Sequence, residues 1–216
     1  MPRLFVGTFL DRESQCALGK LPAMNEHLSA LWRSRLKWVK ESKLHLTWLF
    51  LGDMQNERIT ELSQRISQLI ESRNQQIESA LIYDCLELWG RRGAPRNLVL
   101  TPQDADQSFL NFVKIARKEL SEFASTEVVH QANTDWKPHI TLLRLPDATK
   151  TLPAITKISS NKSHRSSKGK ELPASIITGL ADLLPLNHAI DSVSLIESKE
   201  EDGSHKYNAL ETFLLI

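Results

Sequence analysis

Two short segments repeat one arrangement of side chains, His45-Leu46-Thr47-Trp48 and His139-Ile140-Thr141-Leu142. In an extended strand, residues i and i+2 point to the same face, so each segment presents an imidazole beside a hydroxyl on a rigid support. Either segment alone reads more readily as a core histidine bonded to backbone, but its recurrence in both halves of the chain reverses that reading. An imidazole titrates at about pH 6.5, so one ring of a pair can be neutral and the other charged near neutrality. Phosphodiester cleavage asks for that combination: a base for the attacking oxygen and an acid for the leaving oxygen, roughly in line through phosphorus. The threonine hydroxyls, stiffened by β-branching, can donate to non-bridging phosphate oxygens as charge builds there. His27, His130, His164, His188 and His205 share no ligand-like spacing, and the sequence has neither a zinc signature nor a phosphate-cradling glycine loop. The sequence therefore predicts no metal site and no use of ATP.

Two strands must position these groups. Alternation from Leu44 to Leu51 sets Leu44, Leu46, Trp48 and Phe50 on one face, with His45, Thr47, Leu49 and Leu51 on the other. From Pro138 to Leu143, His139, Thr141 and Leu143 share a face. On this parity Trp48 packs away from the histidine, and Arg144 opposes His139 and stays outside the site. Each strand follows a helical pattern, which suggests an internally duplicated α+β unit. Met1–Gly7 reads as a first strand, Asp11 as a helix cap, and Leu21, Met24, Leu28 and Leu31 as a helical face. Ile59, Leu62, Ile66 and Leu69 mark another helix, with Asn56 as its cap. Strands at Leu81–Trp89 and Asn97–Thr101 flank a turn at Gly90–Pro95, a helix follows from Phe109 to Phe123, and Val193–Ile196 and Ala209–Ile216 form strands around Asp202-Gly203. The Ser- and Lys-rich stretch Ser159–Gly169 has no apolar period and reads as a surface loop.

The chain has 216 residues, 41% hydrophobic and 25% charged, an ordinary globular composition. At this length about 70% of the unfolded chain's surface can be buried, so a core needs no metal or disulfide. The two cysteines, Cys16 and Cys85, form no CxxC pair, and their scarcity points to a reducing compartment. No apolar run reaches the roughly 18 residues of a membrane span, and the first residues lack a secretory pattern, so the expected location is the cytoplasm. With 27 Lys+Arg against 26 Asp+Glu, bulk charge gives no pull toward nucleic acid. What remains are two local clusters, one of Arg33, Arg35, Lys37, Lys40 and Lys43 and one of Lys150, Lys157, Lys162, Arg165, Lys168 and Lys170.

At the paired motifs the chain resembles the 2H phosphoesterase superfamily, most closely its RNA 2′,3′-cyclic phosphodiesterase branch, the 2′-5′ RNA ligase-like proteins. Arg3-Leu4-Phe5-Val6, Lys37-Trp38-Val39, Phe50-Leu51-Gly52, Pro95-Arg96, Lys137-Pro138, and Ser192–Ser198 followed by Tyr207 are also similar to that family, so the resemblance covers most of the chain. It implies an α+β fold of two pseudo-symmetric lobes in one domain over residues 1–216, with antiparallel sheets flanking a central cleft, helices outside, and residues 159–169 as a flexible inserted loop. It implies His45 and His139 as catalytic residues across that cleft, by family convention donor and acceptor of the proton, with Thr47 and Thr141 on the phosphate and no metal or cofactor. The implied activity is metal-independent hydrolysis of a terminal RNA 2′,3′-cyclic phosphate to a 2′-phosphomonoester. Ligation to a 2′-5′ linkage follows if an RNA 5′-hydroxyl replaces water. The expected partner is RNA or a nucleotide carrying the cyclic phosphate, and the expected state is a monomer away from membranes. A reading from a different class is a non-catalytic module that grips an RNA end or nucleotide phosphate. Trp48, at a position more often aliphatic in the family, and the Ser/Lys-rich stretch before Leu172 depart from the pattern.

Overall fold

The computed structural model describes residues 1–27, 33, 36–72, 79–91, 94–132, 135–145, 158–159, 174–201 and 204–215. Their strands are β1 (Arg3–Phe9), β2 (Lys37–Trp38), β3 (His45–Asp53), β4 (Ser79–Arg91), β5 (Ala94–Pro102), β6 (Ile140–Arg144), β7 (Ile158–Ser159), β8 (Leu186–Ile190), β9 (Ser192–Glu201) and β10 (Ser204–Leu214). All pair antiparallel in one sheet of order β10-β9-β1-β3-β6-β5-β4-β7, with β2 beside β6 and β8 beside β4. The helices are α1 (Arg12–Gly19), α2 (Asn56–Glu71), α3 (Gln107–Leu120), α4 (Val129–Ala132) and α5 (Ala174–Ala181). The class is α+β, and the two motif strands, β3 and β6, are neighbours at the centre of the sheet.

Local chemistry accounts for the helix starts. The Asp11 carboxylate accepts from the Ser14 N–H at 2.8 Å and begins α1, and Asp106 does the same for α3 through the Phe109 N–H at 2.8 Å. Asn56 is the first residue of α2 rather than its cap, and Gln55 before it makes no side-chain cap bond. Leu62, Ile66 and Leu69 of α2 and Phe109, Phe112, Val113 and Leu120 of α3 are buried, and the two helices pack on each other. The expected helix around Leu21 is a 3-10 segment, Leu21–His27, and residues 28–32 lie outside the described ones. The expected turn Gly90–Pro95 is mostly strand, since β4 runs through Arg91 and β5 starts at Ala94. The Ser159–Gly169 loop lies outside the described residues beyond Ser159, as does the second basic cluster. Cys16 is exposed and Cys85 is buried, and neither is in a disulfide. Among the described residues no helix is long and apolar enough to cross a membrane.

The alternation expected for the motif strands does not hold along their full length. On β3, Gly7 faces Thr47, Val6 faces Leu49, Phe5 faces Phe50 and Leu4 faces Gly52, so Trp48 and Leu51 are extra residues. Each such bulge reverses the alternation beyond it. The face of His45 and Thr47 therefore continues at Phe50, while Leu49 and Leu51 join the core. On β6, Val99 faces Thr141, Leu98 faces Leu143 and Asn97 faces Arg144, which leaves Leu142 as the extra residue. Leu143 thus turns into the core, and Arg144 returns to the face of Thr141. Both motifs carry this bulge three residues after the histidine.

Close backbone approach at Gly7 supports the first motif. A Cβ on Gly7 would stand 2.7 Å from the Leu46 carbonyl oxygen, the backbone between His45 and Thr47. Gly7→Ala should therefore destabilise the fold by about 1–3 kcal/mol, read as a lower urea midpoint. An unchanged midpoint would mean that β1 and β3 have room this geometry denies.

Candidate active site

Leu46 faces Ile140, the one ladder pair between β3 and β6 among the described residues. One step either way along that antiparallel register sets His45 against Thr141 and Thr47 against His139. Leu46 and Ile140 are fully buried on the opposite face. The four polar side chains thus occupy the corners of one quadrilateral, with the histidines on one diagonal and the threonines on the other.

The two rings are held in the same way. His45 Nδ1 lies 2.7 Å from the Lys43 carbonyl oxygen, and His139 Nδ1 lies 2.9 Å from that of Lys137. A carbonyl oxygen can only accept, so Nδ1 carries the hydrogen in both rings and Nε2 is the nitrogen left to exchange a proton. The tether is two residues upstream in each case, and that residue is lysine both times. The duplication read from His and Thr thus extends to the backbone bond that orients each ring.

Aromatic side chains surround both imidazoles. The His45 ring is tilted against Phe5 with centroids 4.9 Å apart and meets Tyr207 edge-on at 5.1 Å, and Phe50 stacks beside Phe5 at 5.9 Å. The His139 ring lies 4.3 Å from Trp89, whose Nε1 donates to Glu87 at 2.9 Å. Trp89 and Trp136 were not legible as site residues. Nothing in their spacing sets them apart from core aromatics, and only the β4–β5 hairpin and the approach to β6 bring them here.

Burial pushes His45 from 6.5 down to about 4; the Lys43 carbonyl opposes this, and the charges of His139 and Arg144 add to it. Burial also lowers His139, against its bond to Lys137. Lys43 is held below its ordinary value by burial and by Lys40, Arg144 and Lys206. Positive charge is therefore gathered beside His45 although the chain is almost neutral, and Arg144, which parity had excluded, belongs to that group. Among the described residues, no three His, Cys, Asp or Glu side chains converge as a metal ion would require. His188 is engaged elsewhere, 3.1 Å from the capping carboxylate of Asp11.

A cavity of about 510 Å³ opens beside Thr47 and His139, between β3 and the segment leading into β6. Trp136 donates from Nε1 to the Thr47 carbonyl at 2.9 Å, and the buried Arg117 donates to that of Trp48 at 2.5 Å. Trp48 packs edge-on against Phe109 and Phe112 at 5.7 Å each, the packing role expected for it, yet it also lines the cavity. Its Nε1 is buried without a hydrogen-bond partner, a condition that costs about 1–3 kcal/mol.

No protein-family model and no curated protein matches the chain. Solved structures do. TT0787 of Thermus thermophilus superposes with a TM-score of 0.64 at 22% identity, over 99% of this chain and 97% of that one. E. coli LigT complexed with 3′-AMP gives 0.64 at 21% identity, over 99% of this chain and 98% of LigT. The chain has the fold of E. coli LigT. Coverage is nearly complete in both directions, so the LigT-like fold includes both motif strands and the hairpins that flank them.

The depressed histidines make stability depend on pH. Their folded pKa values lie below the unfolded value of about 6.5, so between the two the unfolded chain binds more protons and stability rises with pH. The contribution is complete above pH 6.5 and is lost as pH falls toward about 4. Urea unfolding of the wild type should weaken progressively across that interval, and His45→Gln should flatten the fall. A stability that does not change between these limits would contradict the burial of the rings.

Proposed function

We propose that the chain is an RNA 2′,3′-cyclic phosphodiesterase, opening a terminal cyclic phosphate to a 2′-phosphomonoester by acid–base catalysis between His45 and His139. The observation that carries this reading is the pair of Nδ1-tethered imidazoles on one diagonal of a quadrilateral completed by two threonines. Water attacks phosphorus as His139 Nε2 takes its proton, the bond to the 3′-oxygen breaks, and His45 Nε2 delivers a proton to that oxygen. Thr47 and Thr141 donate to the non-bridging oxygens, and the positive charge of Arg144 and Lys43 favours the anion. One P–O bond forms and another breaks while these residues supply the proton transfers and hydrogen bonds, and an RNA 5′-hydroxyl in place of water would form a 2′-5′ linkage. E. coli LigT, solved with 3′-AMP and with ATP, supports nucleotide phosphates as ligands for this fold.

The donor must be charged before substrate is cleaved, and burial works against that. In the free protein both imidazoles favour the neutral form at pH 7, and an anionic phosphate between them restores the proton to one. The profile of kcat/KM, which reports the free protein, should peak on the acid side of pH 6.5 and decline above it, whereas a flat profile from pH 6 to 8 would refute the assignment.

The deciding experiment incubates the protein with cytidine 2′,3′-cyclic phosphate and EDTA, followed by phosphorus NMR. The expected product is the 2′-monophosphate, with turnover lowered about 10²-fold or more in His45→Ala and in His139→Ala. Substrate bound but never opened would establish the non-catalytic phosphate-binding module instead. Loss of activity on chelation and recovery with a divalent ion would establish metal-assisted chemistry.

A further inference from the structure

His139 is covered by an indole whose N–H is fixed on a carboxylate. The Trp89 and His139 centroids are 4.3 Å apart at a tilt of 43°, whereas the edge-on ring pairs among the described residues stand from 5.1 to 5.9 Å apart, so the two rings meet through their faces. Trp89 Nε1 donates to Glu87 Oε2 at 2.9 Å, and the buried Thr101 donates from Oγ1 to Glu87 Oε1 at 3.3 Å. Hydrogen bonds to both oxygens hold the carboxylate in place and favour its ionised form. Val99 of β5 pairs with Glu87 on one side and with Thr141 on the other, so β4, β5 and β6 set this carboxylate in the same row as the second motif.

An indole face attracts a cation within about 6 Å of its centroid more strongly than other aromatic rings do. An anion bonded to the indole N–H polarises the ring and makes that face more negative. A base is neutral before its step and cationic after it. When His139 Nε2 takes a proton from water, the ring becomes an imidazolium while its Nδ1–H stays on the Lys137 carbonyl. The charged and titratable groups around the ring are His45 on β3, Arg144 further along β6, Arg117, Asp135 and Lys137 in the lining of the same cavity, and Glu87 on β4. Of the two anions, Glu87 is the one bonded to a ring in contact with His139. We propose that Glu87 and Trp89 are positioning residues for the base, holding the imidazolium of His139 on an indole face that the carboxylate makes more negative. Burial disfavours that imidazolium, and the indole offsets part of the penalty. The inference rests on the proposed hydrolysis for the step it serves, while the contact itself exists without substrate.

The test titrates His139 in the free protein by NMR of its Cε1–H, assigned by its loss in His139→Gln. Glu87→Gln keeps the volume and an oxygen that accepts from Trp89, and it should lower the His139 pKa by about half a pH unit. Trp89→Phe keeps a ring over the imidazole but removes the N–H. It should lower the pKa by at least as much, and Glu87→Gln should add nothing in that background. If Trp89 merely shielded His139, the smaller phenylalanine would admit water and raise the pKa, which would overturn the proposal. No change in Glu87→Gln would overturn it too, as would an equal fall with and without the indole, because the carboxylate would then act alone. With cytidine 2′,3′-cyclic phosphate, the acid limb of the kcat/KM profile reports the free base. In Glu87→Gln that limb should move down with the measured pKa, and the rate above it should fall about two- to threefold. A limb that stays in place while the pKa moves would take Glu87 and Trp89 out of the reaction. The two ideas fail separately. A pKa that falls in both variants of a protein that opens no cyclic phosphate upholds the contact and defeats the hydrolysis, and an active enzyme whose His139 ignores Glu87 does the reverse.

Discussion

One backbone pairing, Leu46 opposite Ile140, decides where four polar side chains stand. The motifs are 94 residues apart in sequence, and neither can make a site alone. In an antiparallel ladder, a slip of one residue would turn a histidine and threonine from the open face into the core. The register is protected from both sides: Leu46 and Ile140 are completely buried beneath it, and the Trp136 indole, the Arg117 guanidinium and the Val39 N–H each bond a carbonyl of a motif strand. None of these bonds is local, so the positioning of the site depends on the whole sheet.

The paired bulges are the second device. A strand that alternated strictly would offer His45 and Thr47 a neighbouring leucine, and His139 and Thr141 another. The extra residues at Trp48 and Leu142 withdraw those leucines and bring Phe50 and Arg144 to the open face, one apolar and one cationic. A bulge also bends its strand and interrupts pairing. Beyond Leu46 the two central strands have no further ladder pair among the described residues, and the cavity lies along that stretch.

Burial and charge act against each other around the histidines. Packing against Phe5, Tyr207 and Trp89 orients the rings and removes water, which favours their neutral forms. The charge of Arg144 favours the neutral form of His45 further, and Lys40, Arg144 and Lys206 together hold down the charge of Lys43. The same surroundings attract an anion, so a phosphate would meet preset donors and change the protonation of the rings on arrival. Net charge reports none of this, because it averages a local cluster over the chain.

The sequence by itself determined the class of the fold, the helix capped by Asp11 and the helical face that starts at Phe109, the first strand and the C-terminal hairpin, and the pairing of each histidine with its threonine. These are local matters: a cap reaches three residues, and an i, i+2 relation holds inside any extended segment. Tertiary structure decided everything that depends on a partner strand. Periodicity placed Leu49, Leu51 and Leu143 beside the histidines and Arg144 behind them, and all four assignments were reversed, because a bulge is an unequal count between two strands and one strand's sequence does not contain the other's. Trp89 and Trp136 were silent for a related reason. An aromatic residue in a core and one in a binding wall differ in what stands opposite, and contacts between segments distant in sequence settle that.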